Sequence, residues 1–346
     1  MPVLHAIVLG IVQGLSEFLP ISSSGHLKLV PWLFGWDDFR GQADLEQSFD
    51  VALHLGTLVG ACAYFRRDIV NLARGALAVL GRDGRARLRA ADAGAETGDG
   101  AGTGDRGAGT GDTGAGTGDT GAGTGDTGAG TGDTGAGTGD LGAGTGDGAD
   151  PDLAVAVEGR LAWLLLASAL PAALVGSVLN DTVAGLGDHE WLVAVMLVLF
   201  GGVLLLADRL LGRRPAESFR GRDALVMGAA QALALVPGVS RSGATITASR
   251  SIGFSRDAAA RLSFLMSLPI IAGALLFEGV DMFRSGGIPE GFGPAFAWGI
   301  VASGVTGWLA VWGTLRFVRT HTFTPFVVYR VVAGGAVLLL IATGVR

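Results

Sequence analysis

Two short segments of the chain combine carboxylate, hydroxyl and guanidinium side chains that could act on a phosphate ester or anhydride. Residues 10–27 read GIVQGLSEFLPISSSGHL, and residues 237–245 read PGVSRSGAT. A serine becomes a nucleophile when a neighbouring base takes its proton, and Glu17 or His26 could act as that base. Arg241 offers a planar fork of N–H donors that matches phosphate oxygens. These residue types therefore predict chemistry on a phosphate group.

Both segments interrupt an apolar run. Residues 2–35 are broken by Pro20 and the serines that follow it, and residues 223–253 are broken by Pro237 and a second serine–glycine cluster. Proline beside serine and glycine does not continue a helix. Irregular backbone persists at membrane depth only where protein or a wet cavity surrounds it. Each segment is therefore predicted to be a re-entrant helix–turn–helix pair.

The remaining apolar sequence predicts membrane spans. Of the 346 residues, 49% are hydrophobic and 16% are charged, which is too apolar for a soluble two-domain protein. A helix needs about 20 apolar residues to cross a bilayer core. Apolar runs that are long enough once their flanks are included occupy residues 51–65, 161–179, 191–207, 262–277, 295–315 and 323–345. The predicted fold class is an all-α integral membrane protein with six transmembrane helices and two re-entrant pairs, and the single cysteine, Cys62, excludes a disulfide framework.

Residues 92–150 form a low-complexity segment that repeats the unit GAGTGDT. No position of this unit is apolar enough for a coiled-coil seam, and the nine-residue unit of calcium-binding β-helices is not matched. The segment holds ten aspartates, one glutamate and one arginine, a charge of −10, so the rest of the chain carries +4 of the net −6. A flexible, solvated linker is predicted, and the overall charge indicates no cationic partner.

The two re-entrant segments resemble each other at an offset of 218 residues, where Gln13 meets Gln231 and Ser22 meets Ser240. Three predicted spans separate the copies, so they must enter the membrane from opposite sides. This is the inverted-repeat plan, in which broken helices meet near the midplane and build a site there. The predicted units are residues 1–91 with the first re-entrant pair and one span, the linker 92–150, residues 151–222 with two spans, and residues 223–346 with the second repeat.

Arginines predict the orientation of the chain. The stretch from Arg66 to Arg89 is rich in arginine, whereas residues 180–190 contain neither lysine nor arginine. Cytoplasmic loops carry the excess of positive charge. The linker is therefore predicted to be cytoplasmic and the C-terminus external.

If the two turns meet, they bring several polar residues together within the membrane. This group comprises Glu17, Ser22, Ser23, Ser24, His26, Ser240, Arg241, Ser242 and Thr245, with Gln13 one helical turn before Glu17. Charges within a bilayer are costly, so Glu17 and Arg241 are functional candidates, although such a pair could also only lock the two halves together. The sequence lacks the acidic cluster of a dedicated two-metal site, and a Mg²⁺ or Ca²⁺ ion held by Glu17 and the substrate is left open.

The two segments resemble the signatures of the undecaprenyl-diphosphate phosphatases, integral-membrane enzymes also called bacitracin-resistance proteins. The resemblance includes residues 50–57 (DVALHLGT) and covers the chain except the linker. It implies hydrolysis of a polyprenyl diphosphate to the monophosphate, which recycles a lipid carrier. By matching position it implies that Glu17 and His26 are catalytic, that Ser23 is the nucleophile or a close phosphate ligand, and that Arg241 binds phosphate. The predicted substrate-binding residues are Gln13, Ser22, Ser24, Gly25, Ser240, Ser242, Gly243 and Thr245.

One departure from the family and one alternative function stay open. Many members carry a second glutamate where this chain has Gln13, which puts a mechanism with two carboxylates at that turn in doubt. A flippase for lipid phosphate, or another anion carrier, would use the same inverted repeat. A transporter has no use for a nucleophile with its base, which favours the enzyme.

The expected partners are a polyprenyl diphosphate lipid and the cell membrane, with no nucleic acid and with a homodimer left open.

Overall fold

The computed structural model describes residues 1–39, 41–81, 151–186, 189–284, 288 and 290–345. The whole of the predicted linker 92–150 lies outside these residues, and description of the chain resumes at Pro151. The helices are α1 (Val3–Phe18), α2 (Ser23–Phe34), α3 (Ala43–Tyr64), α4 (Arg66–Val79), α5 (Pro151–Ala167), α6 (Leu170–Leu186), α7 (Glu190–Asp208), α8 (Gly221–Leu233), α9 (Arg241–Ser251), α10 (Arg256–Arg284), α11 (Gly293–Val318) and α12 (Thr324–Ala342). The described residues form no β-sheet, and the predicted all-α class is confirmed.

The described helices include five that are long and apolar enough to cross a membrane. One consists of α5 and α6 together, over Ala154–Val178, and the others are α7, α10, α11 and α12. Helices α3 and α4 pass the same test as a pair, although they are bent by 81° at their junction. Each of the six predicted spans therefore has a counterpart, and the chain is a multi-pass membrane protein.

Helix α4 is an element that the sequence indicated only as a basic segment after the first span. The helix buries Asp68, Leu72 and Val79 on one face, while Arg66 and Arg67 are exposed. Its buried face packs against α5. An amphipathic helix after a sharp bend is typical of a membrane interface, where one face meets apolar groups and the other meets water.

The two re-entrant turns have the same local structure. Ser22 precedes α2 with a φ of 77°, and Ser240 precedes α9 with a φ of 75°. This left-handed region is rare for residues other than glycine and is found mostly at functional sites. Each serine hydroxyl caps its helix by accepting the N–H of the residue three positions on, Gly25 or Gly243. The two re-entrant segments, which resemble each other in sequence, therefore also share a capping serine with positive φ.

Arg330 of α12 joins the two turns. Its side chain is 0% exposed. The guanidinium donates to the carbonyl oxygen of Pro20 in the first turn at 3.1 Å, and to those of Gly238 and Val239 in the second turn at 2.9 and 3.0 Å. Nε donates to the carbonyl oxygen of Leu197 in α7 at 2.9 Å. Buried carbonyl groups outside helices need donors, and Arg330 supplies them to both turns at once.

Helix α1 packs closely on α11 through small residues. A Cβ atom on Gly10 would lie 2.5 Å from the carbonyl oxygen of Gly299 and 3.0 Å from the Cβ atom of Ala302. Small residues let helix backbones approach each other in membrane proteins, where van der Waals contact drives association. This packing fixes the position of α1, which carries Glu17.

We expect Gly10→Ala to lower the thermal unfolding midpoint of the protein in detergent, because the added methyl group meets backbone. Overpacking of this kind costs about 1–3 kcal/mol. Gly313→Ala in α11 is the matched control, since no described residue lies within 4 Å of its Cβ position. Equal midpoints for the two variants would contradict the close packing of α1 on α11.

Candidate active site

A cavity of about 390 Å³ lies between the two re-entrant turns and helices α3 and α10. The turns and α3 provide most of its polar groups, and α10 provides much of its apolar wall. The lining residues are Glu17, Ser22, Ser23, Ser24, Gln47, Asp50, Val51, His54, Gln231, Ala234, Leu235, Ser240, Arg241, Ile270, Ile271, Ala274, Leu275 and Glu278. The cavity therefore combines charged, hydroxyl and apolar surfaces.

The carboxylate of Glu17 lies at the centre of the polar contacts, and its side chain is 5% exposed. Oε1 accepts a hydrogen bond from Nη2 of Arg241 at 2.9 Å. Oε2 accepts from the hydroxyl of Ser23 at 2.6 Å and from Nε2 of Gln13 at 3.1 Å. A buried carboxylate is tolerated when charge-assisted donors of this kind surround it. Because Glu17 belongs to α1 and Arg241 to α9, the ion pair joins the two repeats.

The starts of two helices border the cavity. Ser23 is the first residue of α2, and Arg241 is the first residue of α9. The N–H groups of a first helical turn have no partner within the helix, and the helix dipole makes this end attractive to anions. The two turns also contact each other, because the hydroxyl of Ser242 donates to the carbonyl oxygen of Leu19 at 3.0 Å. The arrangement suits an anion with several oxygens, such as a diphosphate.

The predicted site residues divide into those that line the cavity and those that lie behind it. Glu17, Ser22, Ser23, Ser24, Ser240 and Arg241 line the cavity. The predicted residues outside that lining are Gln13, Gly25, His26, Ser242, Gly243 and Thr245. Gln13 supports Glu17 directly. Thr245 supports the start of α9, since its hydroxyl contacts the hydroxyl of Ser263 at 2.6 Å and donates to the carbonyl oxygen of Arg241 at 2.9 Å.

His26 lies away from the hydroxyl of Ser23 that it was considered to activate. Its Nδ1 atom is 2.7 Å from the carbonyl oxygen of Ser22, and its Nε2 atom is 2.8 Å from the hydroxyl of Tyr329 in α12. The ring is 9% exposed and stacks on Tyr329. Both ring nitrogens are thus engaged, Nδ1 at the start of α2 and Nε2 with α12, while Ser23 donates to Glu17. Of the two candidate bases, the geometry favours Glu17.

Several cavity residues were not predicted as site residues. These are Gln47, Asp50, His54, Gln231 and Glu278. A signal existed for two of them: His54 is a polar residue within an apolar run, and Gln231 is the repeat partner of Gln13. Arg330, which joins the two turns but does not line the cavity, could also have been singled out in the sequence. It is a lone arginine within the last span, and a charged residue within a membrane is expected to have a partner.

The fold and the cavity define a class: a multi-pass, all-α membrane protein whose two re-entrant turns bring a serine, a carboxylate and an arginine together. The model of the family described as "Bacitracin resistance protein BacA" matches residues 6–93 and 146–336, and the chain belongs to this family.

Relatives similar to this chain over nearly their full length carry the name undecaprenyl-diphosphatase. The protein of Pelobacter propionicus is 40% identical, with 100% of this chain and 99% of the relative covered. The protein of Geobacter sulfurreducens is 38% identical, with 98% of each covered. The protein of a Nocardioides species is 34% identical, with 99% of this chain and 97% of the relative covered.

Proposed function

We propose that the chain hydrolyses undecaprenyl diphosphate to undecaprenyl monophosphate and inorganic phosphate, and so recycles the lipid carrier. The observation that carries this proposal is the contact of Glu17 with both Ser23 and Arg241 at one cavity. A serine, its base and a phosphate-binding cation are the parts that phosphoryl transfer requires. The name shared by the relatives supports the same substrate.

In the proposed mechanism Ser23 attacks the terminal phosphorus of the diphosphate. Its hydroxyl already donates to Oε2 of Glu17 at 2.6 Å, which is within reach for proton transfer. The carboxylate takes the proton as the bond between oxygen and phosphorus forms. The bridging oxygen then leaves with the lipid monophosphate, and water later hydrolyses the phosphoryl-serine.

Charge that develops on the phosphoryl oxygens is stabilised by groups already in place. Arg241 lies at the cavity with 14% of its side chain exposed, so its guanidinium has a second face for substrate. The N–H groups that start α2 and α9 add donors that need little rearrangement. These donors come from both repeats, which explains why a single turn would not form the site.

The apolar wall of the cavity supports a lipid substrate. Ile270, Ile271 and Leu275 of α10 line the cavity beside the polar groups. Further along α10, Leu276 and Phe277 are 72% and 80% exposed on the outer surface. We propose that a prenyl chain follows this helix into the membrane. We also propose that the chain resides in the cell membrane, with residues 92–150 on the cytoplasmic side.

A divalent metal ion is not used in this mechanism. Both carboxylate oxygens of Glu17 already accept hydrogen bonds from Arg241, Ser23 and Gln13, so a metal ion at Glu17 would compete with these donors. The described residues also contain no group of three or more His, Cys, Asp or Glu side chains that could hold an ion. A Mg²⁺ or Ca²⁺ ion held by Glu17 and the substrate is an open alternative, which phosphate release before and after chelation would test.

Phosphate release from undecaprenyl diphosphate by the purified protein in detergent tests the proposed function. We expect wild-type protein to release phosphate and Glu17→Gln to lose this activity, because an amide does not accept the proton of Ser23. Reconstituted liposomes provide the second measurement. Movement of lipid phosphate across the liposome membrane without hydrolysis would favour a transporter.

Deleting residues 95–148 should leave phosphate release near the wild-type level. The family match skips residues 94–145, which lie within the predicted linker. The composition of this segment, rich in glycine and aspartate, predicts that it contributes no folded part of the site. Activity and expression of the deletion variant are compared with the full chain, and lost activity at normal expression would refute the linker prediction.

A further inference from the structure

His54 of α3 lies beside the Glu17 oxygen that the hydroxyl of Ser23 also uses. Nε2 of His54 is 3.6 Å from Oε2 of Glu17. The His54 side chain is 33% exposed and lines the cavity. Ser23, Glu17 and His54 therefore form a row around one carboxylate oxygen, although they come from three different helices.

The second ring nitrogen of His54 determines which atom can act as a base. Nδ1 is 2.7 Å from the carbonyl oxygen of Asp50, one turn earlier in α3. A carbonyl oxygen has no proton to donate, so Nδ1 carries the hydrogen of this bond. In the neutral ring the lone pair then lies on Nε2, at the edge that faces Glu17 and the cavity. Helix α3 thus presents a proton acceptor to the cavity.

Hydrolysis through a phosphoryl-serine moves two protons, and Glu17 holds only one of them. In the first step Ser23 passes its proton to Glu17 as its oxygen binds phosphorus. In the second step the bond from Ser23 to phosphorus breaks, and Glu17 returns that proton to the serine oxygen. The attacking water must lose a proton at the same time. Gln13, which also binds Oε2 of Glu17, carries an amide that does not accept it.

We propose that His54 is the general base of the second step, an inference that rests on the function proposed above. Its Nε2 atom takes one proton from the attacking water, and the water oxygen forms the new bond to phosphorus. The bond from phosphorus to the Ser23 oxygen breaks, and inorganic phosphate leaves. His54 then gives its proton to solvent in the cavity. Asp50 and Glu278 line the same cavity and are the competing acceptors.

His54→Gln tests this role because glutamine keeps a hydrogen-bonding side chain but does not accept a proton. The measurement is a rapid-quench time course with undecaprenyl diphosphate labelled in its terminal phosphate. We expect a first turnover near the wild-type rate and then steady turnover slower by about 100-fold or more, since general bases contribute about 10²–10⁴-fold. Labelled phosphoprotein should accumulate in His54→Gln and be absent from a His54→Gln/Ser23→Ala double variant.

A second measurement separates the chemical role of His54 from a structural one. Added imidazole should restore turnover to His54→Ala, whose side chain leaves space for it, but not to Ser23→Ala. His321→Gln is the matched control, because His321 is exposed beyond α11 and its Nδ1 atom contacts Thr320. This control should behave as wild type.

Three results would overturn the inference. The first is wild-type turnover in His54→Gln, and the second is slow turnover of that variant without phosphoprotein. The third is accumulation of phosphoprotein in Asp50→Asn but not in His54→Gln. A wild-type protein that releases no phosphate would instead refute the proposed function, and the inference would fall with it.

Discussion

Replacing Ser23 with alanine should lower phosphate release from undecaprenyl diphosphate by about 10³-fold or more, because the variant loses the attacking oxygen. The hydroxyl is small and, among the described residues, bonds only to the adjacent carboxylate at 2.6 Å, so its removal should leave the fold intact. The loss should fall on kcat rather than on KM, since Arg241 and the two helix starts still bind the diphosphate. Steady-state phosphate release over a range of substrate concentrations measures this split.

Ser251→Ala is the matched control for Ser23→Ala. Ser251 ends α9, is exposed, and its hydroxyl donates to the carbonyl oxygen of Thr247 within the same helix. Its removal should leave both kinetic constants at the wild-type values. If Ser23→Ala retained a kcat within tenfold of wild type, water would attack the substrate directly. Ser23 would then be a phosphate ligand, which is the other role that the family resemblance implies for it.

The broken helices could be predicted because their signals are local. Proline, serine and glycine interrupt apolar sequence at both turns, and no tertiary information is needed to see that a helix stops there. The contact between Glu17 and Arg241 could also be predicted. A charge within the membrane requires a partner, and the second repeat contains an arginine of opposite charge at its turn. The left-handed backbone at Ser22 and Ser240 did not follow, because serine gives no sign of it.

The part of the cavity contributed by α3 and α10 could not be predicted, for a tertiary reason. Apolar runs indicate that a span exists, but they do not indicate which of its faces meets the turns. His54 and Asp50 are on α3 and Glu278 is on α10, and only the packing of these helices brings them to the cavity. Helix α4 was missed for a related reason. Its arginines indicate the membrane side correctly, whereas its buried face becomes visible only against α5.

His26 shows how motif position and geometry can differ. It stands three residues after Ser23 in the motif, which made it a natural candidate for the base. In the helix, however, its ring points to Tyr329, a residue far away in the sequence. The contact with Glu17 belongs to His54 instead, which lies in the family-like segment 50–57 but was not predicted as a site residue.

Removing Arg241 should have the second large effect, on both stability and activity. Arg241→Ala leaves the carboxylate of Glu17, which is 5% exposed, without its cation. Breaking one side of a buried ion pair costs about 3–5 kcal/mol, so the thermal unfolding midpoint in detergent should fall. Phosphate release should fall by about 10²–10³-fold, as for the loss of other donors that stabilise a transition state.

The double variant Glu17→Gln/Arg241→Gln separates a catalytic pair from one that only locks the two repeats together. Two neutral amides remove the uncompensated charge, so the unfolding midpoint should recover towards the wild-type value. Phosphate release should not recover, because the variant has neither the base for Ser23 nor the cation for phosphate. If both stability and activity returned together, the pair of Glu17 and Arg241 would be structural, and the chemistry would have to be assigned to other residues of the cavity.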